Sequence, residues 1–175
     1  MNLFRQFIFI VLIVSVIACS EDTVDNYGTI SANKNSILIM ENSTGVTITN
    51  YSGGIVESSS GNVAKGAIRI EADDTTIINK GSLNASGNGS SIRLHTGITG
   101  TKIYVDGAPT FTGEVDLNNA AANTTMYLGC SMTQDTTIEI HNHGGALNIE
   151  NNLCGNDTYT LSTEVLDGSD SDDGY

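Results

Sequence analysis

The sequence predicts an all-β chain folded as a short right-handed parallel β-helix, a solenoid of about four to five coils. Three observations carry this expectation. Helical periodicity is absent after residue 20, and short β-branched runs with apolar residues at alternate positions recur along the whole chain. Between the second and third run of each group stands an Asn or Asp, usually with a glycine within two residues. Alternation with period two sends one set of side chains inward and the other outward. Asn, Asp and Gly enter the left-handed backbone region at least steric cost, so the recurring position marks a sharp turn.

Four units align. The first is Ser36-Ile-Leu-Ile-Met, Val46-Thr-Ile-Thr-Asn50 and Gly54-Ile-Val-Glu. The second is Ala67-Ile-Arg-Ile-Glu, Thr75-Thr-Ile-Ile-Asn79-Lys-Gly81 and Ser82-Leu-Asn-Ala-Ser. The third is Ser91-Ile-Arg-Leu-His, Thr101-Lys-Ile-Tyr-Val-Asp106-Gly107 and Pro109-Thr-Phe-Thr. The fourth is Thr125-Met-Tyr-Leu, Thr136-Thr-Ile-Glu-Ile-His-Asn142-His-Gly144 and Ala146-Leu-Asn-Ile-Glu. They begin at Ser36, Ala67, Ser91 and Thr125, at unequal intervals of which the middle one is the shortest. Asn26-Tyr-Gly28-Thr-Ile30 repeats the turn and implies a partial unit ahead of the first. Three short strands per unit describe one coil, and stacked coils about 4.8 Å apart would bury a slender aliphatic column. The expected column is Ile37, Ile39, Val46, Ile48, Ile68, Ile70, Ile77, Leu83, Ile92, Leu94, Ile103, Val105, Phe111, Met126, Leu128, Ile138, Ile140 and Leu147. An antiparallel β-sandwich, also made of evenly spaced short strands, is the alternative architecture.

The stretch from Thr75 to Leu94, Thr-Thr-Ile-Ile-Asn-Lys-Gly-Ser-Leu-Asn-Ala-Ser-Gly-Asn-Gly-Ser-Ser-Ile-Arg-Leu, resembles the passenger repeats of autotransporter adhesins. The resemblance covers that stretch well and the other coils loosely. It implies the coil geometry and an adhesin-like setting, and it carries little about activity.

The amino terminus has a different character. Arg5 precedes an apolar run, Phe7 to Ala18, which as a helix would be roughly 18 Å long. A hydrocarbon core of about 30 Å needs nearer 20 apolar residues, so the run fits a secretory signal peptide. Its end, Val16-Ile17-Ala18-Cys19, resembles the lipobox of bacterial lipoproteins. That resemblance implies cleavage before Cys19 and a diacylglyceryl group on its thiol. Two or three acyl chains make a lasting membrane anchor, each buried methylene adding about 0.8 kcal/mol. Ser20-Glu21-Asp22 is similar to the acidic signals of surface-exported lipoproteins, which implies the outer membrane or cell surface. The expected organisation is a signal peptide at 1–18, a lipidated tether at 19–27, a β-helix at 28–166 and an acidic disordered tail at 167–175.

Composition narrows the partners. Seven basic and twenty acidic residues give a net charge of −13, or −14 once Arg5 is lost with the signal. Nucleic acid is thereby disfavoured, since binding it relies on Lys and Arg. Cys130 and Cys154 are separated by close to the length of one coil and would lie side by side on adjacent rungs. In an oxidising compartment they would form a disulfide, contributing about 3.5 kcal/mol in the chain-entropy model.

Residues able to do chemistry are sparse. Arg69 and Arg93 hold equivalent positions in successive units and would stack outward, where a pair of guanidinium groups could grip a carboxylated sugar. Glu71 is placed to neutralise them instead. His141 and His143 flank Asn142, whose turn position spoils a shared aim, and a metal centre needs three or four converging ligands. Thr76, Thr125 and Thr137 hint at a threonine array in irregular register. No nucleophile elbow, phosphate-binding glycine loop or Cys-His pair with catalytic context is present. The expectation is a non-enzymatic, adhesin-like or structural surface lipoprotein with no cofactor and no metal. Its partners would be the membrane, through its lipid, and a glycan or a host or cell-surface protein. The alternative is a β-helix that binds or degrades extracellular polysaccharide.

Overall fold

A computed structural model describes residues 22–62, 64–117, 123–129, 131, 138–142, 147–150 and 161–164. The Cys19 lipidation position, both members of the Cys130–Cys154 pair, Thr137, His143 and the tail at 167–175 lie outside them.

The described residues form strands and turns wound as a parallel β-solenoid. The first coil is β1 (Thr23–Asn26), β2 (Thr29–Ala32) and β3 (Ile37–Ile39); the second is β4 (Thr47–Asn50), β5 (Ile55–Ser58) and β6 (Gly66–Ile70). The third is β7 (Thr76–Asn79), β8 (Ser82–Ala85) and β9 (Ser90–Leu94); the fourth is β10 (Lys102–Val105), β11 (Thr110–Thr112) and β12 (Val115–Leu117). Two further rungs contribute β13 (Thr124–Leu128) and β14 (Ile138–Asn142), then β15 (Leu147–Glu150) and β16 (Leu161–Glu164). Stacking gives three sheets: sheet 1 is β1-β4-β7-β10-β13-β15, sheet 2 is β2-β5-β8-β11, and sheet 3 is β3-β6-β9-β12-β14-β16. Each of the pairings is parallel, which rules out the antiparallel sandwich.

The core follows from the alternation. Ile48, Ile77 and Ile103 stack on consecutive rungs of sheet 1, and Ile68, Ile92 and Val115 on consecutive rungs of sheet 3. All six are 0% exposed. The other expected inward residues are buried too, except Phe111, which packs part-buried against the column, and Leu147, whose side chain is not described. Val24, Val56, Val115 and Leu117 join them.

Three expectations are corrected. Strand β1 begins at Thr23, inside the segment assigned to the tether, and with β2 it forms the partial unit expected ahead of Ser36. Thr125–Leu128 does not continue the row of Ser91–Leu94; it lies over Lys102–Val105 in sheet 1. The rung that follows β9 is the short strand β12, and the long interval from Ser91 to Thr125 therefore spans more than one coil. Finally, Asp106 does not occupy the turn position of Asn79, because Val105 pairs with Asn79. Asn142 likewise lies inside β14, opposite Leu117.

The turn from sheet 1 to sheet 2 is held by a buried asparagine ladder. Asn26 Nδ2 donates to Asn50 Oδ1, and Asn50 Nδ2 to Asn79 Oδ1, both at 2.8 Å. The same amides donate across the turn to the carbonyls of Ile55, Ser82 and, from Asn79, Gly81, at 3.1 to 3.2 Å. Beneath the ladder the backbones close up. A Cβ on Gly81 would collide with the Gly54 carbonyl and lie 2.6 Å from the Tyr51 carbonyl and 2.8 Å from Asn50 Nδ2. Gly81→Ala is therefore expected to destabilise the chain by about 1–3 kcal/mol, the usual range for overpacking. A lowered midpoint in urea denaturation is the measurement; an unchanged midpoint would show that the turn can open without loss.

Candidate functional site

Binding or catalysis in a solenoid has to use the outward columns, since the inward ones are filled. In sheet 3 one outward column runs Leu38, Arg69, Arg93 and Asp116, and its register continues to positions His141 and Glu164. Arg69 and Arg93 are neighbours, as their spacing predicted. What differs is the solvent. Arg93 is 6% exposed, Asp116 is 2%, and they form an ion pair with Arg93 Nη1 at 2.5 Å from Asp116 Oδ2. Ser91, on the neighbouring position of the same strand as Ile92, is also 0% exposed. Arg69 Nε lies 2.6 Å from Glu71 Oε1 and its Nη1 donates to the Ala64 carbonyl. Both guanidinium groups thus already pair with carboxylates of the chain, and Arg93 is no part of a solvated column.

Sheet 2 presents a different face. Ser31, Glu57, Asn84 and Thr112 fall in one outward column, each on its own rung. With Ser59 and Ser86 they line a shallow groove of about 260 Å³. Ser31 and Thr112 are exposed, and Glu57 and Asn84 half-buried. None of the four side chains hydrogen-bonds to another described residue. The result is a row of donors and acceptors along the solenoid axis at about 4.8 Å per step. Sequence reading misses this row for a simple reason. Ser31 and Asn84 each follow their turn asparagine by the same interval, but Glu57 lies further from Asn50, because the Tyr51-Ser-Gly-Gly54 turn is longer. Aligning the strands rather than the turns reveals it.

Sheet 1 carries Thr23, Thr47, Thr76, Lys102 and Thr125 in one outward column and Asp25, Thr49, Ile78, Tyr104 and Tyr127 in the next. Thr76 and Thr125 do share a column, more regularly than expected, but Lys102 separates them. The Tyr104 and Tyr127 rings stack at 4.5 Å with a 9° interplanar angle.

A second groove, of about 490 Å³, lies where sheet 3 turns towards sheet 1, lined by Met40, Glu41, Glu71, Asp73, His95 and Ile98 among others. Its acids are partly occupied: Glu71 pairs with Arg69, and Asp73 Oδ1 accepts from the Thr99 amide at 2.7 Å. Among the described residues no three His, Cys, Asp or Glu side chains converge as a metal site would require. Among them, too, no helix is long and apolar enough to cross a membrane.

At the corner between sheets 1 and 2 a second aromatic stack stands on the asparagine ladder. Tyr27 and Tyr51, the residues after Asn26 and Asn50, lie 4.0 Å apart at 10°. The Tyr51 phenol is pushed up to about 12, first by its hydrogen bond with Tyr27, then by desolvation and by the charge of Asp25. Because the folded value exceeds the ordinary value of about 10, the folded state holds the proton more tightly. Its contribution to stability is complete below pH 10 and is lost as pH rises towards 12. Phenolate absorbance should therefore include the late titration of Tyr51, and Tyr27→Phe should bring it down. A single tyrosine population titrating near the ordinary value would contradict the hydrogen-bonded stack.

No family model, curated protein or solved structure matches the chain.

Proposed function

We propose that this chain is a surface lipoprotein, anchored through Cys19, whose solenoid binds a glycan along sheet 2 without turning it over, in the manner of an adhesin. The observation that carries the binding reading is the column Ser31, Glu57, Asn84 and Thr112. Polar groups repeated at a constant step suit a ligand that itself repeats, and a row of short side chains on a rigid sheet is already organised before binding. Glu57, the single carboxylate among the described residues of that groove, favours recognition over hydrolysis, for which two carboxylates flanking the bond are the usual requirement. The lipobox-like Val16-Ile17-Ala18-Cys19 supports the anchor, and the acidic Ser20-Glu21-Asp22 supports an outer-membrane or surface destination.

A second reading, cleavage of a polysaccharide, has the groove with Glu41, Glu71, Asp73 and His95 in its favour. It stands behind the first because Glu71 and Asp73 already hold structural partners.

The test is a glycan array and a cell-binding assay with the full chain. Binding that weakens on Glu57→Gln supports the reading, and no binding to any glycan or cell removes it. Release of a bond-cleaved product, abolished by Asp73→Asn, would put the second reading first. For the anchor, Cys19→Ala should release the protein from membranes; unchanged retention would end that part of the proposal.

A further inference from the structure

We infer that the corner made by Asp25, Tyr27 and Tyr51 is a stacking site for one ring of a neutral sugar, serving as the anchoring subsite of the glycan that sheet 2 takes up. This rests on the binding function proposed above and adds a place and a chemistry to it.

The ring is held in position by the core. Asn26 and Asn50 are buried and bonded to each other, and each is followed directly by the tyrosine in question. Their register carries Tyr27 onto Tyr51, ring against ring. Asp25 stands close enough for its charge to act on the Tyr51 phenol, which places a carboxylate at the rim of the stack. Such a ring loses little freedom on binding, which is what a recognition element needs.

The ring is also open. Tyr27 is 70% exposed, against 41% for Met40, the other exposed large apolar residue among those described. Tyr51 covers one of its faces. The opposite face looks out at the end of the solenoid, where β1 is the edge strand of sheet 1 among the described residues. Two of the three glycines in these turns lie in open space: nothing is within 4 Å of where a Cβ on Gly28 or Gly53 would be, while Gly54 packs inward against Asn50. An ordered aromatic face left this exposed contrasts with a chain whose aliphatic residues are almost all inside.

Charge selects the ligand. The face of an aromatic ring carries negative potential and takes either the C–H face of a pyranose or a cation. Lys80 follows Asn79 as Tyr51 follows Asn50 and so holds the next place in the same column, presenting a like charge to any incoming cation. The stack also offers one flat face, not a cage of several. Anionic sugars meet Asp25 and a net charge of −13. A neutral ring avoids both penalties, and its hydroxyls find acceptors in Asp25 and the phenol oxygens. Sheet 2 begins just beyond Tyr27, so a chain stacked at the corner can continue onto Thr29 and Ser31.

The test uses the full chain in detergent with neutral cello-, malto- and chito-oligosaccharides, a uronic-acid oligosaccharide as the charged glycan, and tetramethylammonium as a cation probe. With no tryptophan in the chain, the emission comes from its six tyrosines, and the change lost in Tyr27→Ala is the part that belongs to the corner. At least one neutral oligosaccharide should bind and perturb that emission. Tyr27→Ala should weaken it roughly tenfold or more, and Tyr27→Phe, which keeps the ring, by less than about threefold. Circular dichroism and thermal melting should show both variants folded, because the side chain is exposed. If Tyr27→Ala binds as the parent does while Glu57→Gln weakens binding, the corner is not the subsite and the sheet 2 function stands. If only charged glycans bind, and do so through Glu57, the corner assignment again falls alone. If no glycan of either kind binds, both are overturned. If tetramethylammonium binds through Tyr27 and neutral sugars do not, the sugar assignment is wrong.

Discussion

Asp116→Ala is expected to cost about 3–5 kcal/mol of stability, the largest effect of any outward-facing substitution among the described residues. The side chain is 2% exposed and lies 2.5 Å from Arg93, itself 6% exposed. Removing the carboxylate strips the guanidinium of this close counter-charge in a place water scarcely reaches. The converse change separates that penalty from any net value of the pair. Replacing both residues, Arg93→Met with Asp116→Leu, should recover most of the loss, since a buried ion pair often gains little over apolar groups of similar volume. Urea denaturation of the two single variants and the double variant gives the answer. An Asp116→Ala midpoint equal to the parent's would mean that water reaches the pair after all. Screening should matter little to a pair at this depth, so the cost should persist at high salt.

Asn50→Ala is expected to cost about 3 kcal/mol, on the usual scale of buried polar groups that lose their partners. Asn50 is 0% exposed and is the only rung of the described ladder bonded to an asparagine on each side. Its loss takes the acceptor from Asn26 Nδ2 and the donor from both Asn79 Oδ1 and the Ser82 carbonyl. Each buried group left without a partner costs about 1–3 kcal/mol, with some recovered because Asn26 Nδ2 keeps its bond to the Ile55 carbonyl. The fourth coil supplies the internal control. Val105 holds this position there, so an apolar side chain is tolerated where no asparagine is stacked on it from above. Val105→Ala should therefore behave as an ordinary loss of core volume, while Asn50→Ala should also loosen the first turn. Amide exchange at Gly28 and Gly54 would register that opening, and full protection there would argue against it.

The parallel solenoid is legible in the sequence because its signals are local. Thr76-Ile77-Ile78-Asn79 reads as a strand with a turn after it whatever surrounds it, and Ile77 falls inside on parity alone. The asparagines are legible as turn residues, yet not as a ladder. Whether their amides face solvent or each other depends on two coils being in register. Arg69 and Arg93 can be placed as neighbours, but parity says only that a side chain leaves the core. It does not say that water awaits it, and at Arg93 it does not. Val115-Asp-Leu117 is hard to see because two apolar residues make too short a pattern to stand out. Stacking against Ile92 and Leu94 makes it a full member of the sheet.

The fold class, most of the core and three of the turns can thus be read from the chain alone, because period-two patterning and turn residues act over short distances. Which strand lies over which is another matter, and every column that bears on function depends on it. Along sheet 3 the coil from Ile37 to Ile68 is longer than the coil from Ile68 to Ile92. The turns absorb that variation, so register is set by the packing of the aliphatic stack and not by counting. Glu57 joins Ser31 and Asn84, Tyr27 meets Tyr51, and Arg93 finds Asp116 only once that packing has aligned them.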